Sequence, residues 1–265
     1  MDAGHVERPP ASLAALVRHV TVVGLSGLAT GIVAGGLGSR IFMRIAGATG
    51  RDAAQGATTE AGFTVGEITL DGSVGLLIFV GIFMGILGAL LYAVFRPWLA
   101  WAGRFRGVVF GVVLFAIGSA SSDAMNPDNF DFRILGNGLL DVLLIGVLFL
   151  GFGIVIEELH RVLDRRMPGR DGKIRIGFAI LAVVGSLMAV PLAITIMFGN
   201  SCDCDPPIIA AWFAVLTGVG TVLWWASARR DRLRLPATIV GYIGLIGATA
   251  LGLVRAISDA AEIIG

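Results

Sequence analysis

The chain has 265 residues, of which 56% are hydrophobic and 15% charged, and its formal net charge is +1. Soluble globular domains carry roughly 45–50% apolar and about 25% charged residues, so this composition excludes an ordinary soluble domain. A net charge this small gives no reason to expect a nucleic-acid partner. The partner that the composition predicts is the lipid bilayer. A single lysine, Lys173, accompanies nineteen arginines, a bias that we take to indicate a bacterial source.

Apolar runs follow one another along the chain, each close to the roughly 20 residues that a membrane-spanning helix needs. They cover residues 20–43, 73–95, 107–125, 134–156, 174–199, 207–228 and 237–259. Only helices and closed barrels satisfy the backbone in lipid, and these runs lack the alternation of strands. The sequence therefore predicts an all-α, polytopic membrane protein, with residues 1–265 forming a single domain of seven transmembrane helices.

The connections between the runs differ sharply in charge. Most of the 20 basic residues fall in the N-terminal segment 1–19 and in the second, fourth and sixth connections, with a dense basic loop at 157–173. Basic residues are enriched in cytoplasmic loops, so these segments are predicted inside. The N-terminus is then cytoplasmic and the C-terminus outside, in a multi-pass protein of the plasma (inner) membrane.

The longest predicted outer connection spans residues 44–72. Within it, "AGFTVGEITLDG" alternates apolar and polar side chains around Gly66 and ends in Asp71–Gly72. This pattern predicts a short strand-like flap between the first two helices. Its apolar side is expected to lie on the outer mouth of the bundle, either as a packed cap or as a functional lid.

Small residues recur every four positions in several runs. The rows are Gly27, Gly31, Gly35 and Ser39 in the first run, Gly81, Gly85 and Ala89 in the second, Ala210, Ala214 and Gly218 in the sixth, and Gly244, Ala248 and Gly252 in the seventh. No hydrophobic force drives helices together in lipid, and small residues let backbones approach closely. The rows therefore predict tightly packed helix pairs.

Polar side chains at the outer end of the bundle are the candidate site. A rise of about 1.5 Å per residue puts Arg40 roughly 33 Å from Arg18, near the outer edge of a core about 30 Å thick. Asp141 is the one acid well inside an apolar run, where acids usually face the interior and pair with another group. We predict a cluster of Arg40, Arg44, Asp123, Asn137 and Asp141, covered by Glu60 and Glu67 of the flap.

This cluster has three interpretations that the sequence leaves open. It is a structural ion-pair network that fixes helix register, a site for a ligand or ion, or a pair of arginines reaching for lipid phosphates.

Other residues give weaker signals of chemistry. Cys202 and Cys204 are weak candidates for metal ligands, because metal sites usually need four ligands and no histidine lies near them. Predicted outside, they can also form a strained disulfide, stay reduced or bridge two protomers. His5, His19 and His160 all map to the cytoplasmic side, which gives no histidine cluster at membrane depth. No nucleophile–base pattern is present, so we predict neither an enzyme nor a cofactor.

Three functions of different classes fit these features. The leading one is a transporter or channel for an ion or small polar solute, motivated by Asp141 and the arginine pair beside an acid-rich outer face. The second is a non-catalytic membrane scaffold or accessory subunit, motivated by the small-residue rows. The third is a lipid-phosphate binder that uses Arg40 and Arg44 as paired donors. The implied partners are a small ion or an anionic lipid headgroup, together with a partner membrane subunit or a second copy of the chain.

Overall fold

The computed structural model describes residues 6–7, 9–10, 12–49, 56, 74–75, 77–121, 125–128, 137–167 and 208–265. Within these ranges the chain is helical and contains no β-strand. The predicted flap with Glu60 and Glu67, and the predicted run at 174–199, lie outside them.

The described helices follow the predicted runs in order. They are α1 (Leu13–Thr30), α2 (Gly38–Thr49), α3 (Met84–Phe95), α4 (Arg106–Ser121), α5 (Gly138–Arg166), α6 (Ile208–Ser227) and α7 (Arg234–Ile264). Two π-helical segments, Gly31–Leu37 and Leu77–Phe83, lead directly into α2 and α3, and 3-10 helices cover Arg96–Phe105 and Asp231–Leu233. The first helix begins where Ser12 Oγ accepts a hydrogen bond from Ala15 N at 3.2 Å, as expected of an N-cap serine.

Helices α2 and α5 extend beyond the predicted runs. Helix α2 continues to Thr49, past the predicted start of the outer loop 44–72. Helix α5 continues to Arg166, past the predicted start of the basic loop 157–173. In α5 the extension carries ion pairs between Arg161 and glutamates one turn earlier, which stabilise a helix that leaves the apolar region.

Four helical runs in the described ranges are long and apolar enough to cross a membrane. They are Ala14–Thr49, Gly81–Ala120, Gly138–Arg166 and Asp231–Ile264, with Trp212–Ser227 as a shorter apolar helix. The prediction of an all-helical membrane protein is confirmed in this coarse form. The number of seven spans and the strand-like flap stay predictions.

The run from Gly81 to Ala120 reverses direction at Gly103. This glycine has φ 53° and ψ −118°, a backbone conformation that residues with a Cβ adopt only under strain. The rings of Tyr92 and Phe110, on either side of it, lie 5.1 Å apart between centroids. A straight helix would separate these residues by about 27 Å. Helices α3 and α4 therefore run antiparallel.

The first two predicted rows of small residues pack against each other. A Cβ on Gly31 would overlap the carbonyl oxygen of Gly81, and one on Gly85 would lie 2.7 Å from Gly27 O. A Cβ on Gly27 would likewise overlap Ala89. The backbones of α1 and α3 are therefore in direct contact, as the sequence pattern predicted.

Beyond Gly31 the predicted row is wrong by one position. The next buried glycine is Gly36, which faces Leu77, whereas Gly35 is only partly buried. The cause is the π-helical segment, because a hydrogen bond from residue i to i+5 places the residue five positions on, rather than four, over the same face. This segment packs against the second π-helical segment, so the contact between α1 and α3 continues through the two π-helical segments.

The predicted rows of the last two helices are correct only in part. Gly244 faces Thr217 of α6, and Gly252 faces Ala116 of α4. Gly218 has open space around its Cβ position, whereas Gly220 contacts α7 at Gly241. Ala214 of the same row is buried in the core. The sequence row therefore identified the packed face of α7, and in α6 it was right at Ala214 and wrong at Gly218.

Candidate functional site

The predicted outer cluster is described at four of its positions. Asn137 precedes α5, and its carbonyl oxygen accepts a hydrogen bond from Asp141 N at 3.0 Å. Arg40 is half-buried and Arg44 exposed, both on α2. Asp123, Glu60 and Glu67 lie outside the described residues, as do Cys202 and Cys204.

Asp141 lies on the first turn of α5 and is 1% exposed. Its Oδ2 has no hydrogen-bond partner among the residues that the structure describes. In the same ranges, no ion pair joins Asp141 to Arg40 or Arg44. The structure thus places Asn137 and Asp141 together at the start of α5 but does not bring the two arginines onto the carboxylate.

A second buried acid lies at the same end of the bundle and is paired. The start of α5 contacts the end of α7, where a Cβ on Gly138 would overlap Ile263. Nearby on α7, Asp259 is 4% exposed and accepts a hydrogen bond from Arg255 Nε at 3.1 Å. Both acids are buried, but among the described residues only Asp259 has a basic partner.

The opposite end of the bundle contains an ion network that sequence reasoning missed. We call it the Glu7 cluster; its members are Glu7, Arg96, Arg106, Glu157 and Arg161. Arg96 Nη1 donates to Glu7 Oε2, and Arg106 Nη1 donates to Glu7 Oε1 at 2.8 Å. Glu157 accepts from Arg161 Nε at 3.0 Å and lies 3.9 Å from Arg106 Nη1. Two carboxylates thus hold three guanidinium groups.

The backbone of Glu7 also makes two hydrogen bonds to the bundle. Its N–H donates to Pro97 O at 3.3 Å, and its carbonyl accepts from Trp224 Nε1 at 2.6 Å. Glu7 therefore contacts both the 3-10 helix after α3 and the end of α6.

Tyr92 connects the cluster to two histidines. Its hydroxyl donates to Glu157 Oε2 and accepts from Arg96 Nε at 3.1 Å. The His160 ring lies 5.5 Å from the Tyr92 ring and 6.0 Å from the ring of His19, between centroids. His19 Nε2 and His160 Nδ1 are buried and make no hydrogen bond to any group in the described ranges. A sequence signal was present, because Glu157 and His160 are one turn apart on the same helix.

No metal site is formed by the described residues, which contain no group of three or more His, Cys, Asp or Glu side chains able to hold an ion. The arrangement places a buried carboxyl group near each end of one helix, α5: Asp141 at its start and Glu157 towards its end. About 24 Å separate Asp141 from Glu157 along α5 at 1.5 Å per residue. At one end the carboxylate has no described partner, and at the other it is fully engaged.

The class that these observations define is an all-helical membrane protein with buried ionisable groups near both ends of its bundle. No protein-family model matches the chain, and no curated protein or solved structure shows significant similarity to it.

Proposed function

We propose that the protein is a transporter or channel for an ion or small polar solute. The observation that carries this proposal is the Asp141 carboxyl group, which is buried in an apolar helix without a described partner. An isolated buried carboxylate is costly, and a proton or a bound cation would stabilise it. Ionisable groups within membrane-spanning helices commonly mark ion or substrate pathways. A small cation, including the proton, is therefore the passenger that we favour.

Flux into proteoliposomes tests this proposal. The wild-type protein is expected to carry protons or an alkali cation, detected with a pH-sensitive or cation-sensitive dye trapped inside. Asp141→Asn keeps the shape of the side chain but can neither release a proton nor attract a cation, so we expect it to abolish the flux.

The matched control is Asp259→Asn, which alters the paired acid at the same end of the bundle. It is expected to retain flux, since Arg255 already neutralises Asp259. Equal loss in both variants would mean that the integrity of this end, rather than the Asp141 carboxyl, is what matters. Absence of wild-type flux under every gradient would contradict the proposal.

A second candidate, a non-catalytic scaffold or accessory subunit, is favoured by the glycine contacts between α1 and α3. Backbone contact of this kind gives a rigid platform on which another membrane subunit can pack. This candidate predicts no flux, together with a partner subunit that stays bound through purification in mild detergent.

We further propose the finer topology of seven spans in the bacterial plasma membrane, with the N-terminus in the cytoplasm. The distribution of basic residues supports it, since the Glu7 cluster and the basic end of α5 then lie at the cytoplasmic side.

The two native cysteines provide the test of topology. After mild reduction of intact cells, a membrane-impermeant maleimide is expected to label Cys202 or Cys204, because both are predicted outside. In a protein with both changed to serine, Arg232→Cys is expected to stay unlabelled until the cells are permeabilised. The reverse pattern would contradict the proposed orientation.

A further inference from the structure

We propose that Arg96 and Arg106 form an oxyanion-binding site that the chain's own Glu7 occupies, and that a carboxylate or phosphate group binds there when the N-terminal segment leaves. The site lies at the opposite end of the bundle from Asp141. It therefore goes beyond the proposed transport function and does not depend on it.

The geometry is that of a carboxylate receptor. Each arginine donates to a different oxygen of Glu7, and the two side chains are only 13% and 12% exposed. Arginine is the residue best suited to planar oxyanions, and its charge persists on burial. Arg106 Nε is buried and makes no hydrogen bond in the part of the chain described, so Glu7 does not use every donor of the two guanidinium groups.

The charge balance favours an anion at this position. Without Glu7, the buried Arg96 and Arg106 are left with one buried carboxylate, that of Glu157, which Arg161 also engages. A buried charge that loses its partner is strongly unfavourable. An anion from solution would restore the balance that Glu7 now provides.

Exposure distinguishes the two carboxylates of the cluster. The side chain of Glu7 is 24% exposed, whereas that of Glu157 is 4% exposed. Water therefore reaches the Glu7 side chain, whereas Glu157 is closed off from it. Glu7 belongs to the N-terminal segment that precedes α1, and Glu157 is fixed within a long helix. Glu7 is therefore the partner that exchanges in this proposal, and its release breaks the two backbone hydrogen bonds to Pro97 O and from Trp224 Nε1.

Chemical rescue of the full-length Glu7→Ala protein tests the site. Its thermal unfolding temperature, Tm, is measured in detergent with increasing sodium acetate or inorganic phosphate, against sodium chloride at equal ionic strength. We expect Glu7→Ala to lower Tm, and we expect acetate or phosphate to raise it again in a saturable way, since a ligand of the native state stabilises it by mass action. The wild-type protein, whose site is filled, is expected to respond little.

Three comparisons make the result specific. Adding Arg106→Gln to Glu7→Ala should abolish the rescue. Glu158→Ala, which removes an exposed acid beside the cluster, should show none. Micelles containing phosphatidylglycerol, compared with phosphatidylcholine alone, identify the source of the anion: rescue by the anionic lipid only supports the same site with a headgroup as ligand.

If Glu7→Ala does not yield folded protein, Glu7→Ser, which also vacates the carboxylate position, takes its place, with acetate present during extraction. No anion-dependent rise in either variant would overturn the proposal. The measured quantity is the anion-dependent change in Tm and not flux. This outcome is therefore distinct from failure of the transport proposal.

Discussion

Replacing Glu157 by alanine is expected to lower the free energy of unfolding by about 3–5 kcal/mol, the cost of removing one partner from a buried ion network. Its side chain is 4% exposed, accepts hydrogen bonds from the Tyr92 hydroxyl and Arg161 Nε, and lies 3.9 Å from Arg106. The variant leaves buried guanidinium groups with too little negative charge and deprives the Tyr92 hydroxyl of its acceptor. Denaturant titration in mixed micelles measures the effect.

The neighbouring residue provides a matched control. Glu158 pairs with the same Arg161 at 2.8 Å, but its side chain is 58% exposed. Exposed ion pairs contribute about 0.2–1 kcal/mol, so Glu158→Ala is expected to change stability no more than that. Equal effects of the two variants would show that burial does not decide the strength of this network.

Gly31→Ala is expected to destabilise the protein by about 3 kcal/mol, at the upper end of the range for overpacking a tight contact. The added methyl group would overlap the Gly81 carbonyl oxygen and come within 2.5 Å of Gly85 Cα. Backbone atoms cannot move aside as a flexible side chain can, so the π-helical segment that begins at Gly31 must separate from Gly81 and from the start of α3. The change in Tm and in denaturant midpoint measures the loss.

Gly146→Ala is the control for this substitution, because a Cβ there has open space around it. Alanine is the better helix former, so this variant is expected to gain up to about 1 kcal/mol. A Gly31→Ala protein that is as stable as Gly146→Ala would contradict the direct backbone contact of Gly31 with Gly81 and Gly85.

The features that the sequence predicted best are those that depend on local pattern. Apolar runs of sufficient length indicated the helices, and the spacing of Gly27 and Gly31 indicated a packed face that does contact Gly81 and Gly85. The burial of Asp141 was likewise expected from its position inside an apolar run. Each of these inferences needs only residues within one helix.

The features that the sequence missed depend on contacts between distant positions or on local backbone geometry. Glu7, Arg96 and Arg106 each lie outside the apolar runs, where charge usually means contact with water, and only the fold brings them together. The contact between His19 and His160 was missed for the same reason, because the two residues belong to different helices. The π-helical segments change the period of the helix itself, so a four-residue repeat could not locate Gly36.

The attachment of Glu7 has a consequence for the order in which the protein is completed during synthesis. Its partners Arg96 and Arg106 leave the ribosome early, but Trp224 follows only after α5 and most of α6 have been made. Glu7 must therefore wait, with its attachment incomplete, while α4, α5 and most of α6 are made. A residue synthesised before α1 thus reaches its final contacts late.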